Sequence, residues 1–170
     1  MASLLARYEE LIASGELRAD PDQRAAAARL DRLQRELEEA QPSGGLFGKL
    51  FAKDPKRPEG VYMWGGVGRG KSMLMDLFHQ TLGIREKRRV HFHAFMQEVH
   101  ETMRDVRTGR EGDPIPRVAE RLSEGVRCLA FDEMVVNNSA DAMIMSRLFT
   151  QLIRERGVVI VTTSNRPPRD

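Results

Sequence analysis

Cysteine is almost missing from this sequence. Cys128 stands alone among 170 residues, which excludes a disulfide framework and a zinc site built on thiolates. No apolar run approaches the ~20 residues of a membrane span. The opening MASLLARYEE turns acidic too soon for a signal peptide, and no Arg/Ser-rich presequence is visible. These absences lead to the expectation of a soluble protein in the reducing cytoplasm, with a mitochondrial matrix form as the lesser option. Neither sign of charge dominates: 27 Lys and Arg face 25 Asp and Glu, a net of +2. That balance excludes nucleic-acid binding by bulk charge but leaves room for a local basic patch. Internal repeats and low-complexity stretches are also missing. What is present is a chain 41% apolar, enough to bury a core, and of a length that fits one domain at roughly 150 residues each. Charged residues reach 31%, slightly above the usual ~25%.

The pattern divides the chain into an N-terminal helical segment over 1–42, a linker over 43–59 and an α/β unit over 60–170. Ser3 is placed to cap a short helix carrying Leu4, Tyr8, Leu11 and Ile12, stopped at Gly15. Asp20-Pro21 reads as a second start, N-cap followed by first-turn proline. The helix it opens carries Leu30, Leu33 and Leu37 on one stripe through Ala40. In the linker, Leu46, Phe47, Leu50 and Phe51 fit one amphipathic turn, followed by Lys53, Lys56 and Arg57. This is either a membrane or partner contact or a short helix folded onto the core.

From Gly60 onward, strands and helices alternate. Strands are expected at Val61–Trp64, Val90–His93, Val126–Phe131 and Val158–Thr163. Helices are expected at Lys71–Leu82, Phe95–Val106, Arg117–Leu122 and Asp141–Arg154. Such alternation gives a parallel sheet flanked by helices with right-handed crossovers, and the unbroken Val/Ile run of the last strand suits burial on both faces.

Gly65-Gly66-Val67-Gly68-Arg69-Gly70-Lys71-Ser72 matches G-x-x-x-x-G-K-[ST] in full, between a strand and a helix. Glycines let backbone N–H groups wrap phosphate oxygens, and the helix N-terminus adds its positive dipole end. Lys71 is assigned to the β- and γ-phosphates and Ser72 to Mg²⁺. The third strand ends Phe131-Asp132-Glu133. Acids there often cap the next helix, but with the phosphate loop upstream Asp132 is assigned to Mg²⁺, through water, and Glu133 to the general base. The fourth strand ends Thr162-Thr163-Ser164-Asn165, with Asn165 the candidate to orient the attacking water or, alternatively, a turn residue before Pro167-Pro168. No Asn-Lys-x-Asp guanine motif occurs, so ATP is favoured over GTP.

A whole strand–helix unit separates the phosphate-loop helix from the acidic strand, and a glutamate follows the aspartate. Both features resemble the P-loop branch that includes the AAA+ ATPases, whose strand order is 5-1-4-3-2. Beyond them, Gly60-Val61-Tyr62-Met63-Trp64, Arg89-Val90-His91-Phe92-His93-Ala94-Phe95-Met96, Phe131-Asp132-Glu133 with Ala140-Asp141-Ala142-Met143, and Thr163-Ser164-Asn165-Arg166-Pro167-Pro168 resemble the ZapE-type ATPases, also called AFG-one-like ATPases. The resemblance runs through nearly the whole chain. It implies an AAA+-like ATPase that oligomerises with nucleotide and acts on client proteins, FtsZ in bacterial members and inner-membrane respiratory proteins in mitochondrial ones. It also implies a fifth strand, a lid and an arginine finger beyond residue 170, so that this chain ends before them, leaves Val61–Trp64 at the sheet edge and turns ATP over slowly. Met134-Val135-Val136 replaces the aromatic residues that some relatives carry after the acid pair.

Three features stay open. His91 and His93 share a strand face in this reading, with His100 in the next helix, and suit packing, a contact to nucleotide or client, or a metal. Arg85, Lys87, Arg88 and Arg89, continued by Arg104, Arg107 and Arg110, suit a nucleic-acid surface, an acidic client or solvent. Gln23 is a candidate contact to the base. The chain is accordingly expected to be an ATPase of this family, with a nucleic-acid-linked ATPase such as a helicase loader, or an ATP-binding module without turnover, as alternatives.

Overall fold

Local signals in the sequence set the two N-terminal helices. In a computed structural model, which describes residues 3–40, 57–107 and 112–168, Ser3 Oγ accepts from the Ala6 N–H at 3.1 Å and opens α1 (Leu4–Ala13). Asp20 Oδ1 accepts from Asp22 and Gln23 N–H at 2.8 and 3.2 Å and opens α2 (Pro21–Glu39). The stripe of Leu30, Leu33 and Leu37 is buried, as are Leu4 and Tyr8. The amphipathic turn expected at Leu46–Phe51, with Lys53 and Lys56, lies outside the described residues, as does Arg110.

The α/β unit runs β1 (Val61–Trp64), α3 (Lys71–Thr81), β2 (Lys87–His91), α4 (Phe92–Arg107), α5 (Ile115–Ser123), β3 (Cys128–Asp132), α6 (Ser139–Thr150), a π-helical turn over Gln151–Glu155, and β4 (Val159–Ser164). All pairings are parallel and the order is β1-β4-β3-β2, the expected 1-4-3-2. Alternation along each strand assigns side chains to two cores. Cys128, Ala130, Val159 and Val161 face α1, α2 and α3. Leu129, Phe131, Val158 and Ile160 face α4, α5 and α6. Small residues at 128 and 130 let α3 lie close to the sheet, whereas the second core is built on Phe131. Its ring meets Phe92, Phe95 and Phe149 at centroid distances of 5.9, 4.6 and 5.7 Å, separations that suit edge-on and offset aromatic contact. The N-terminal helices therefore share a core with the sheet.

Several boundaries differ from expectation. β2 starts at Lys87, three residues before the expected Val90, because its cations find partners on both sides. Lys87 Nζ donates to the His79 and Leu82 carbonyls, Arg88 pairs with Glu98, and Arg89 with Asp132. The strand ends at His91 and α4 starts at Phe92 rather than Phe95, the Phe92 ring going under the helix onto Phe131. His91 and His93 consequently do not share a strand face. β3 starts two residues late and ends one late, since the Glu86 carbonyl accepts from both the Arg127 and Cys128 N–H before regular pairing begins. The last helix starts earlier, at Ser139 behind an Asn138 cap, and its α-helical part stops at Thr150. β4 is shifted by one residue, to Val159–Ser164.

Candidate functional site

Parallel strands bring their C-terminal ends to one edge of the sheet, and three of those ends carry the expected residues. The loop from Gly65 to Gly70 follows β1 and opens α3. Gly68 and Gly70 take φ of +79° and +75°, left-handed values that L side chains rarely adopt. A side chain at Gly70 would also strike Gln23, whose Nε2 lies 2.6 Å from where a Cβ would stand. Gln23 Nε2 donates to the Arg69 carbonyl at 3.1 Å. The structure thus places Gln23 against the loop backbone, as a brace from α2. Lys71 Nζ donates to the Gly65 and Gly66 carbonyls at 2.7 and 2.8 Å, inside the curve of the loop. Val67 and Ser72 are exposed.

β3 and β4 deliver the acids and the polar residues beside them. Asp132, Thr162, Thr163 and Ser164 are buried, whereas Glu133 and Asn165 are exposed. Glu133 has φ +57°, a left-handed turn that costs a non-glycine residue about 1–3 kcal/mol. Thr163, just before Asn165, holds that turn: its Oγ1 accepts from the Glu133 N–H at 3.0 Å, and its carbonyl from the Met134 N–H at 2.8 Å. Ser164 Oγ donates to the Met134 carbonyl at 3.1 Å. Sequence reasoning singled out Asn165 and passed over Thr163 and Ser164; the signal was the run of three hydroxyl residues, Thr162 to Ser164, closing an otherwise Val/Ile strand. Together Gly68, Lys71, Ser72, Glu133, Thr163 and Asn165 line a pocket of about 350 Å³.

Asp132 lies behind Glu133, with both carboxylate oxygens engaged. Arg89 Nε donates to Oδ2 at 2.7 Å and Nη2 to Oδ1 at 3.1 Å. Arg89 also pairs through Nη1 with Asp76 of α3. These hydrogen bonds hold the guanidinium's proton affinity above its ordinary value despite burial. Sequence reasoning read Arg89 as part of a basic run and missed this pairing, which joins positions distant in the chain. Each carboxylate oxygen keeps a second lone pair, and the Ser72 hydroxyl is exposed. A hard cation takes such oxygen donors, so the donor set fits magnesium.

A second cavity, of about 630 Å³, adjoins the loop between the start of α2 and β1 and is lined by Asp20, Gln23, Tyr62, Trp64, Arg69 and Lys71 among others. It has the size of a nucleoside site. A larger groove of about 820 Å³ lies at the other end of the strands, where Arg117 and the pairs Asp105–Arg121 and Glu120–Arg156 face one another. Charges there answer each other, away from every residue of the phosphate loop. Of the histidines, His100 Nε2 pairs with Asp141 at 2.9 Å and His93 Nε2 lies 3.4 Å from Gln97 Nε2. Among the described residues no cluster of His, Cys, Asp and Glu suits a metal, and no helix is long and apolar enough to cross a membrane.

The AFG1-like ATPase family model matches residues 2–170. The cell division protein ZapE of Escherichia coli K12 is 40% identical over 175 residues, covering 95% of this chain and 45% of that protein. The zebrafish (Danio rerio) lactation elevated protein 1 homolog B is 34% identical over 216 residues, covering 98% of this chain and 43% of that protein. The chain thus spans less than half the length of these relatives. Among solved structures, domain III of the Thermotoga maritima replication initiation protein DnaA matches with a TM-score of 0.55 at 18% identity, covering 92% of this chain and 57% of that one. That likeness bears on the fold alone, a parallel sheet flanked by helices.

Proposed function

The chain belongs to the AFG1-like ATPase family, and from that premise we propose that it binds ATP on the Gly65–Ser72 loop and hydrolyses it to ADP and phosphate. The observation that carries this reading is the convergence of Lys71, Ser72, Glu133 and Asn165 on one pocket at the C-terminal edge of the sheet. Loop N–H groups and the Lys71 ammonium hold the β- and γ-phosphates, the ammonium leaving the Gly65 and Gly66 carbonyls to do so. Ser72 and Asp132 hold magnesium, which when bound neutralises phosphate charge. Glu133, exposed on its strained turn, takes the proton of the attacking water, and Asn165 orients that water. The base occupies the cavity between α2 and β1, next to Gln23.

The finer assignments are proposals of the same reading. The resemblance to ZapE supports a role in cell division, on a client protein such as FtsZ or a membrane protein, with a homo-oligomer as the working form and the cytoplasm as its place. A nucleic-acid partner has less support, since Lys87, Arg88 and Arg89 of the basic run are bonded within the chain.

The test compares binding with turnover. Glu133→Gln keeps size and removes the base, so phosphate release falls by about 10²–10⁴-fold while ATP affinity, measured by calorimetry, stays. Equal phosphate release by both proteins would sink the assignment of Glu133.

A further inference from the structure

Arg89 stands outside the phosphate loop and the acid pair, yet it bonds both carboxylate oxygens of Asp132, the residue assigned to the metal. It lies on β2 opposite Ala130 of β3. Two residues on, Asp132 faces the same side of the sheet, the side covered by α3. There Asp76 follows Ser72 by four residues, on the same face of the helix. The guanidinium forks onto both oxygens of Asp132 and sends its remaining nitrogen to Asp76. One side chain therefore ties the element carrying Ser72 to the element carrying Asp132.

The charges around this fork leave it as the cation of the cluster. Lys87 is committed to the His79 and Leu82 carbonyls. His79 is held towards its neutral form by burial and by the nearby Lys87 and Arg89. The Asp132 side chain is 9% exposed, and a carboxylate so buried must be paired.

We propose that Arg89 is the resident counter-cation of Asp132: it positions the carboxylate, and by sharing it with magnesium keeps the metal from binding strongly unless nucleotide phosphate is also present. This rests on the reading of Asp132 as a metal-holding residue. The free lone pair on each Asp132 oxygen leaves room for a metal-bound water without expelling Arg89. A fixed positive charge on the same carboxylate weakens a divalent ion by about tenfold or more. Without that charge, the Asp132 carboxylate and the Ser72 hydroxyl offer the same oxygen donors with no fixed cation sharing them, which suits a divalent cation better.

The experiment titrates magnesium chloride into the chain in the absence of nucleotide, following thermal unfolding and calorimetric heat, for the wild type and for Arg89→Met. In the variant, millimolar magnesium is expected to raise the melting temperature and give saturable heat, both missing from the wild type at the same concentrations. In the presence of ADP, half-saturation by magnesium is expected to fall about tenfold or more. Identical magnesium responses in the two proteins would overturn the proposal. Should Arg89→Met fail to fold, the double variant Arg89→Met/Asp132→Asn, which removes the orphaned charge, is expected to recover folding. Failure to recover would show that Arg89 acts by packing and not as a counter-cation. The arm without nucleotide separates this proposal from the ATPase reading, because a chain unable to bind ATP would still show or lack the metal response.

Discussion

Glu133 takes a conformation that favours glycine, and it does so at the one place where β3 meets the phosphate pocket. The strain turns its carboxylate out into the pocket, while Asp132, one residue earlier, stays buried against Arg89. Adjacent acids thus receive opposite surroundings, and opposite consequences follow from neutralising them. Asp132→Asn removes the charge that answers Arg89 and is expected to weaken the magnesium dependence of nucleotide binding, while Glu133→Gln leaves that dependence alone; nucleotide affinity measured with and without magnesium decides. A pH effect belongs to His79. Burial first, then Lys87 and Arg89, lower its proton affinity in the folded state. The unfolded chain therefore binds that proton more readily, and stability falls as pH drops below about 6.5. His79→Gln is expected to flatten the acid side of a denaturation-against-pH curve near that value. An unchanged slope would place the effect elsewhere.

At the scale of elements, the end of β4 sets the geometry of the end of β3. Thr163 Oγ1 accepts the Glu133 N–H and so fixes the turn that aims the carboxylate. Thr163→Val keeps shape and leaves that donor without its partner, a cost of about 1–3 kcal/mol. Phosphate release is expected to drop while ATP affinity holds, and Thr163→Ser, which keeps the hydroxyl, is expected to retain most turnover. Parallel losses in the Val and Ser variants would contradict a role for the hydroxyl. The opposite face of β3 depends on Phe131, whose truncation to Ala is expected to cost about 3–5 kcal/mol in chemical denaturation. The phosphate loop and the acid pair were readable in the sequence because each is contiguous and ends a strand. The brace from Arg89 was not, since Arg89, Asp76 and Asp132 meet only once β2, α3 and β3 are assembled. A run of Lys and Arg looks alike in sequence whether it faces solvent, nucleic acid or buried acids. The His91 and His93 pair was misplaced for a related reason: β2 stops at His91 and not at His93, because Phe92 is drawn onto Phe131.

At the scale of the whole molecule, the sheet order followed from the resemblance to the AAA+ branch and the burial of β4 from its unbroken apolar run, while the packing of α1 and α2 onto the face shared with α3 had no sequence signal beyond an amphipathic stripe. That packing brings Gln23 to the loop, so the N-terminal helices are coupled to the phosphate site. The chain spans less than half the length of the relatives it matches. The central claim, that Gly65–Ser72 is a nucleotide site, is tested most directly by calorimetric titration of ATP with magnesium into the chain and into Lys71→Ala. Saturable binding at one site in the first, its loss in the second, and equal melting temperatures for both proteins are predicted, because among the described residues Lys71 bonds loop carbonyls and belongs to neither core. Unchanged affinity in Lys71→Ala would contradict the assignment.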